Sequence, residues 1–357
     1  MSICGDYEHD PRLNHSSIAA RLRTTICQEA ATQSPSGHQC HYPLRTPSAG
    51  EVQLHCHDRN LDTRQPQSCG HRHCPQCQNH AATQWLDRQQ QKLLPVDYFM
   101  VTFTLPYELR PIAWRHQSVT YQALFEAAIS TLKDFGDDPK HLGAEIAMTA
   151  VLHTHSRRLD FHPHLHVIVP GGGLLKARRQ WKKATGQYLF NAFALSHVFR
   201  ARMLAALNDA GLPIPAALAK KWVVDVKAVG TSKPALAYLS AYLYRGVISE
   251  KNIMAHQNDT VTFNYIDGAA GNTRSRTLRG PDFLWLVLQH VLPKGFRRVC
   301  DYGFLHGNAI KTLNLLQLVL RVIIDAVPPR TRPVFKCPTC RASMRISAFI
   351  KATWLPG

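Results

Sequence analysis

Between Asp97 and Val229 the apolar residues alternate along some stretches and recur at three and four along others. The order of those stretches constrains the fold more than any other feature of the chain. Alternation marks strands at Asp97–Thr104, Glu145–His153, His164–Val169 and Trp222–Val229, and helical spacing marks Gln117–Phe135, stopped by Gly136, and Phe193–Ala210. A charged turn around Ser156 to Asp160 makes the middle two strands an antiparallel hairpin. Strand, helix, strand, strand, helix, strand is the order of a split βαβ unit. The expected class is α+β, a ferredoxin/RRM-like antiparallel sheet with helices on one face. The third strand lies inside such a sheet, and it carries His164-Leu165-His166. Side chains alternate faces along a strand, so the two imidazoles point the same way. They are half of a metal site, or polar groups on the wet face of a sheet. His162 shares their parity but precedes Pro163, where the chain enters the strand.

Lys and Arg outnumber Asp and Glu by 42 to 24, a formal charge of +18, which points to a polyanionic partner, nucleic acid first. The first residues carry no apolar signal segment, and Leu313 to Val327 is too short and too charged to span a bilayer. The chain reads as soluble and intracellular, with no membrane partner. There its ten cysteines stay reduced, and clustered ones read as metal ligands.

Residues 1–50 are polar and assign themselves no role. Residues 51–96 read as a small zinc module plus a helix at Ala81–Leu94. Its cysteines Cys56, Cys69, Cys74 and Cys77 are the expected zinc ligands, with His55, His57, His71 and His73 competing, because so small and polar a segment needs a metal to fold. Residues 97–270 form the core. Residues 271–327 add a helical extension (Pro281–Leu292, Leu305–Ile324) to a hairpin at Thr260–Tyr265 and Ser275–Leu278. In the tail, 328–357, Cys337-x-x-Cys340 is half a zinc site completed from elsewhere, or a remnant.

After the fourth core strand, Ser232 to Gly246 has a capping serine, a proline in the first turn and a closing glycine, so a helix follows. Leu236, Leu239 and Leu243 share a core-facing stripe. Tyr238 and Tyr242 fall on another face with Arg245 beside them. Tyrosine at such spacing is often a packing residue.

His164-Leu165-His166 with Tyr238-x-x-x-Tyr242 resembles the HUH superfamily of single-strand DNA nucleases, specifically its two-tyrosine insertion-sequence transposases of the IS91 type. The resemblance continues through Ser68 to Cys77, Thr102 to Pro106, Val151 to His155, His162 to Gly173, Tyr242 to Ile248 and His290 to Arg298. It departs where Gln53 takes the place of a cysteine that would open the zinc segment with its own Cys-x-x-Cys. It implies a transposase that nicks and joins single-stranded DNA at insertion-sequence ends through a 5′-phosphotyrosine on Tyr242 or Tyr238. Such a protein works in the bacterial cytoplasm, at the nucleoid through its DNA binding. Mg²⁺ or Mn²⁺ would sit on His164 and His166. His153, near the end of the neighbouring strand, is the candidate third ligand, and Glu145 lies too far back. Arg245 and Lys233 would neutralise phosphate. Structural Zn²⁺ would hold the N-terminal module. Lys176, Arg178, Arg179, Lys182 and Lys183, the run 274 to 279, and Arg297 and Arg298 fit phosphate contacts. Gly171 to Gly173 are a turn, or a place where DNA backbone comes close. The competing readings are a catalytically inactive, zinc-stabilised DNA-binding protein, such as a decayed copy, and a metal-dependent phosphohydrolase that uses water.

Overall fold

The computed structural model describes residues 50–67, 84–185, 189–231, 234, 247–248, 252–268, 270–293, 295–323 and 334–351. Its first strands are β1 (Glu51–Cys56) and β2 (Leu61–Pro66); residues 84–90 are helical, and β3 (Asp97–Thr104) follows. Next come α1 (Arg110–Arg115), α2 (Gln117–Asp137), β4 (Met148–His155), β5 (Phe161–Pro170), β6 (Gly172–Leu175) and β7 (Gln180–Lys183). The remainder is α3 (Ala192–Asp209), β8 (Val224–Thr231), β9 (Ile253–Gln257), β10 (Thr260–Ile266), β11 (Thr273–Arg279), α4 (Gly280–Leu288), β12 (Val299–Tyr302), α5 (Ile310–Val319) and β13 (Arg345–Ile350).

The main sheet runs β12-β4-β5-β3-β8, antiparallel throughout. Without β12 this is the split βαβ arrangement expected from the sequence, with the histidine strand β5 central. One face takes Val101, Phe103, Leu152, Leu165, Val167 and Val169 into a core closed by Tyr121, Leu124 and Leu132 of α2 and Phe199 and Met203 of α3. The other face carries Tyr98, Met100, Val151 and Ile168 under Trp85 at one end. Its other end holds the histidines.

Several boundaries move for local reasons. Gly136 does not stop α2, which runs through it: a Cβ there would come within 2.9 Å of Ile146, so the glycine lets the helix close on the chain leading into β4. β4 starts at Met148, and Glu145 instead makes an isolated bridge to Leu174. β5 begins at Phe161, so His162 lies inside the strand, and the ring of Pro163 costs the ladder only one N–H. Gly171 to Gly173 offer no open approach for DNA. They are buried, and a Cβ on Gly171 or Gly173 would meet the backbone oxygens of Asp97 or Glu145 at 2.9 and 2.7 Å. Glycine is needed here because backbone packs on backbone.

The hairpin expected near 260–278 gains β9 and becomes a three-stranded sheet, β11-β10-β9, against α4. The tail supplies β13, which pairs with β1 in the sheet β13-β1-β2. No helix among the described residues is long and apolar enough to cross a membrane.

Candidate active site

The hairpin register decides the site. His153 on β4 lies opposite His164 on β5, and His166 lies between Val151 on β4 and Thr102 on β3. All three imidazoles therefore project from the face away from α2 and α3, at the end of the sheet where β4 turns into β5. One ligand nitrogen from each lies within 4.8 Å of the others. The Nε2 atoms of His164 and His166 are 3.1 Å apart. Two lone pairs cannot face each other at that distance without a proton or a cation between them.

Neighbouring groups fix the rings. His164 Nδ1–H donates to the carbonyl of His162 at 2.7 Å, which leaves its Nε2 with the lone pair. His166 Nδ1 meets the Thr102 hydroxyl at 3.1 Å, where donation to the hydroxyl oxygen would free its Nε2 in the same way. Neutral, oriented imidazoles are the form a transition-metal or Mn²⁺ ion takes.

Around the three stands a second set, of which the sequence reading gave a role to Arg298 but none to His155, His290 or Arg110. His155 stacks on His153 with ring centroids 5.7 Å apart, and His290 approaches His155 at 5.4 Å. His290 Nε2–H donates to the Leu159 carbonyl at 2.8 Å. Arg110 of α1 donates to His162 Nδ1. Arg298 donates from Nε to the Leu152 carbonyl at 3.1 Å, and its charge reaches His153, His155, His164 and His290. The signal for His155 was present, since His153-Thr154-His155 is a second His-x-His on the adjacent strand. Arg110 had none.

Burial lowers the pKa of every one of these rings, helped at His153, His155, His162, His164 and His290 by the charge of Arg110 or Arg298. His162, His164 and His290 are pushed down to about 4 and His166 to about 3. His153 and His155 are lowered well below the ordinary value. An unfolded imidazole takes its proton near 6.5, so below that pH the unfolded chain binds more protons than the folded one. Stability contributed by the cluster is therefore complete above pH 6.5 and is lost as pH falls toward about 4. The urea midpoint of metal-free protein is expected to fall steadily across that window. A midpoint unchanged between pH 7 and 4.5 would show that the rings are not desolvated.

The remaining expected residues are distributed as follows. Tyr238, Tyr242, Arg245 and Lys233, and Cys69, Cys74 and Cys77 of the zinc segment, lie outside the described residues. Lys176, Arg178, Arg179, Lys182 and Lys183 form the β6–β7 hairpin, which leaves the sheet where β5 ends at Pro170. Four residues of strand beyond His166, at about 3.3 Å each, already separate it from the histidines. Lys176 pairs with Glu145 at 3.2 Å and Lys183 with Asp97 at 3.8 Å. Charge runs are legible in a sequence, but not the end of the sheet at which they lie. Arg298 is brought to the histidines, with Arg297 exposed beside it. Cys56, at the end of β1, is buried next to Cys337 and Cys340 of the tail.

Two family profiles match the chain: one described as "Putative transposase" over residues 147–312, and a "Transposase zinc-binding domain" over residues 18–105. A relative named "Putative transposase y4qJ", from Sinorhizobium fredii, is 36% identical over 273 residues, covering 70% of this chain and 68% of the relative. The "Transposase for insertion sequence element IS801" of Pseudomonas savastanoi pv. phaseolicola is 28% identical over 300 residues, covering 79% and 72%. Among solved structures, the conjugative relaxase TrwC in complex with mutant OriT DNA aligns over 63% of this chain and 73% of its own at 13% identity, with a TM-score of 0.29. A zinc-binding segment followed by a transposase domain defines a DNA-binding recombination enzyme, a transposase. The chain belongs to the IS91-type transposases.

Proposed function

We propose that this transposase cleaves and rejoins single-stranded DNA at insertion-sequence ends by phosphoryl transfer to tyrosine, with a divalent ion on His153, His164 and His166. The observation that carries the reading is the histidine triad itself: three neutral imidazoles whose ligand atoms lie within 4.8 Å of one another on a rigid central sheet. The donor set fits a borderline ion such as Mn²⁺ better than Mg²⁺, which prefers oxygen.

Tyr242 or Tyr238 supplies the nucleophile. Its Oη loses its proton and forms a bond to the phosphorus, the bond from phosphorus to the 3′-oxygen breaks, and that oxygen leaves protonated as a 3′-hydroxyl. The phosphotyrosine keeps the bond, so another 3′-hydroxyl can reverse the reaction and join strands. Two tyrosines allow two strands to be held in turn. A phenol with an ordinary pKa of about 10 is a poor nucleophile at neutral pH. When bound, the ion supplies Lewis acidity at the scissile phosphate. Arg110 and Arg298, both beside the histidines, take up phosphate charge, and Arg245, three residues beyond Tyr242 in sequence, does so as well.

Incubation with Mn²⁺ and end-labelled single-stranded DNA is expected to give a protein–DNA adduct that survives SDS. Tyr238→Phe and Tyr242→Phe should each reduce it, and the double change should remove it. An adduct that persists in the double variant refutes the nucleophile. Cleavage without adduct points to hydrolysis by water, and a gel shift without cleavage to an inactive DNA-binding protein.

A further inference from the structure

We propose that Cys56, Cys337 and Cys340 hold a zinc ion that clasps the C-terminal tail onto the N-terminal module, and that Arg59 stands where a fourth ligand would sit. The three sulfurs lie within 4.8 Å of one another, with Cys56 Sγ 3.5 Å from Cys340 Sγ, although the residues are more than two hundred positions apart in sequence. The matched zinc-binding segment, residues 18–105, includes Cys56 but neither tail cysteine.

The two halves of the site are copies of one turn. Cys56 ends β1 and opens a turn over residues 57–60. Cys337 likewise opens a turn over residues 338–340. Each turn then closes through a left-handed residue, Asn60 at φ 47° and Arg341 at φ 64°. Cys56 and Cys337 thus correspond, Asn60 and Arg341 correspond, and so do Arg59 and Cys340. Clustered cysteine sulfurs are what zinc binds. Among the described residues no fourth Cys, His, Asp or Glu joins the three, so the coordination has an open corner.

The clasp has a structural task. The sheet β13-β1-β2 rests on a small apolar cluster, Val52, Leu54 and Met344 with the buried Cys56 and Cys337. Most of β13 is exposed, Phe349 at 69% included. So small a core does not hold a docked strand unaided, and metal binding supplies the missing folding energy. The tail hairpin is pre-formed around the ligands: Cys337 N–H donates to Ala342 O at 2.8 Å, Arg341 N–H to Cys337 O at 2.9 Å, and Met344 N–H to Phe335 O at 2.8 Å.

Elemental analysis of the purified full chain is expected to show one zinc fewer per molecule in the Cys337→Ser/Cys340→Ser variant than in the parent. Hydrogen exchange before and after chelation of the parent is expected to show residues 345–350 and 51–56 losing protection together while 97–104 and 161–170 keep theirs. Arg59→Cys, which completes four thiolates, should slow zinc loss to EDTA at least tenfold, a gain that a misfolded variant cannot imitate. Equal zinc content in the parent and the double serine variant overturns the site. So does a Cys56–Cys340 disulfide in protein purified under reducing conditions. Arg59→Cys with unchanged zinc release overturns the assignment of the fourth corner.

Discussion

His164→Ala is expected to lower metal-dependent cleavage of single-stranded DNA about a thousandfold, equivalent to ~4 kcal/mol of transition-state stabilisation, while the protein stays folded. The imidazole is half-buried on the face of β5 turned away from the core, so its removal opens no cavity among packed apolar groups. It also removes a desolvated ring that sits 3.1 Å from His166 and beside His153. The loss should therefore appear in single-turnover rate and in Mn²⁺ affinity, and not in the urea midpoint at pH 7.5. A variant within threefold of the parent rate at saturating Mn²⁺ would remove the triad from the reaction. One that loses activity and stability together would give His164 a structural role instead.

Much of this site was legible because its determinants are local. Period two in β3, β4, β5 and β8 and helical spacing in α2 and α3 put β5 in the middle of the sheet, and alternation put His164 and His166 on one face. His153 needed one more fact, the register across the Ser156–Asp160 turn, and the pairing of His153 with His164 supplies it. What could not be read depends on contacts between distant parts of the chain. β12 is only Val299 to Tyr302, too short for a periodic signal, yet it covers the β4 edge and sets Arg298 beside the histidines. Cys337-x-x-Cys340 gave no hint that its partner was Cys56, since nothing near either segment encodes a strand pairing across the length of the chain. Arg110 carries no motif. Its place beside the histidines comes from the docking of α1 next to His162.

Leu165, between the two histidines, makes the complementary case. It points to the opposite face and is 0% exposed, lying opposite Leu152 on β4 and Phe103 on β3 in the cluster shared with Phe199 of α3. Leu165→Ala removes a branched side chain from a site enclosed by strands on both sides, which leaves little room for collapse, and is expected to cost about 2–5 kcal/mol. Against a stability of about 5–15 kcal/mol that is a large fraction, measurable as a lower urea midpoint with an unchanged slope. Because β5 is held by β3 and β4 through its backbone, the histidine face should keep its spacing in molecules that remain folded. Cleavage per folded molecule should thus fall far less than in His164→Ala. A cost below about 1 kcal/mol would mean that β5 does not run through the middle of this core. A rate loss per folded molecule equal to that of His164→Ala would mean that the metal face depends on packing behind the strand as much as on its own ligands.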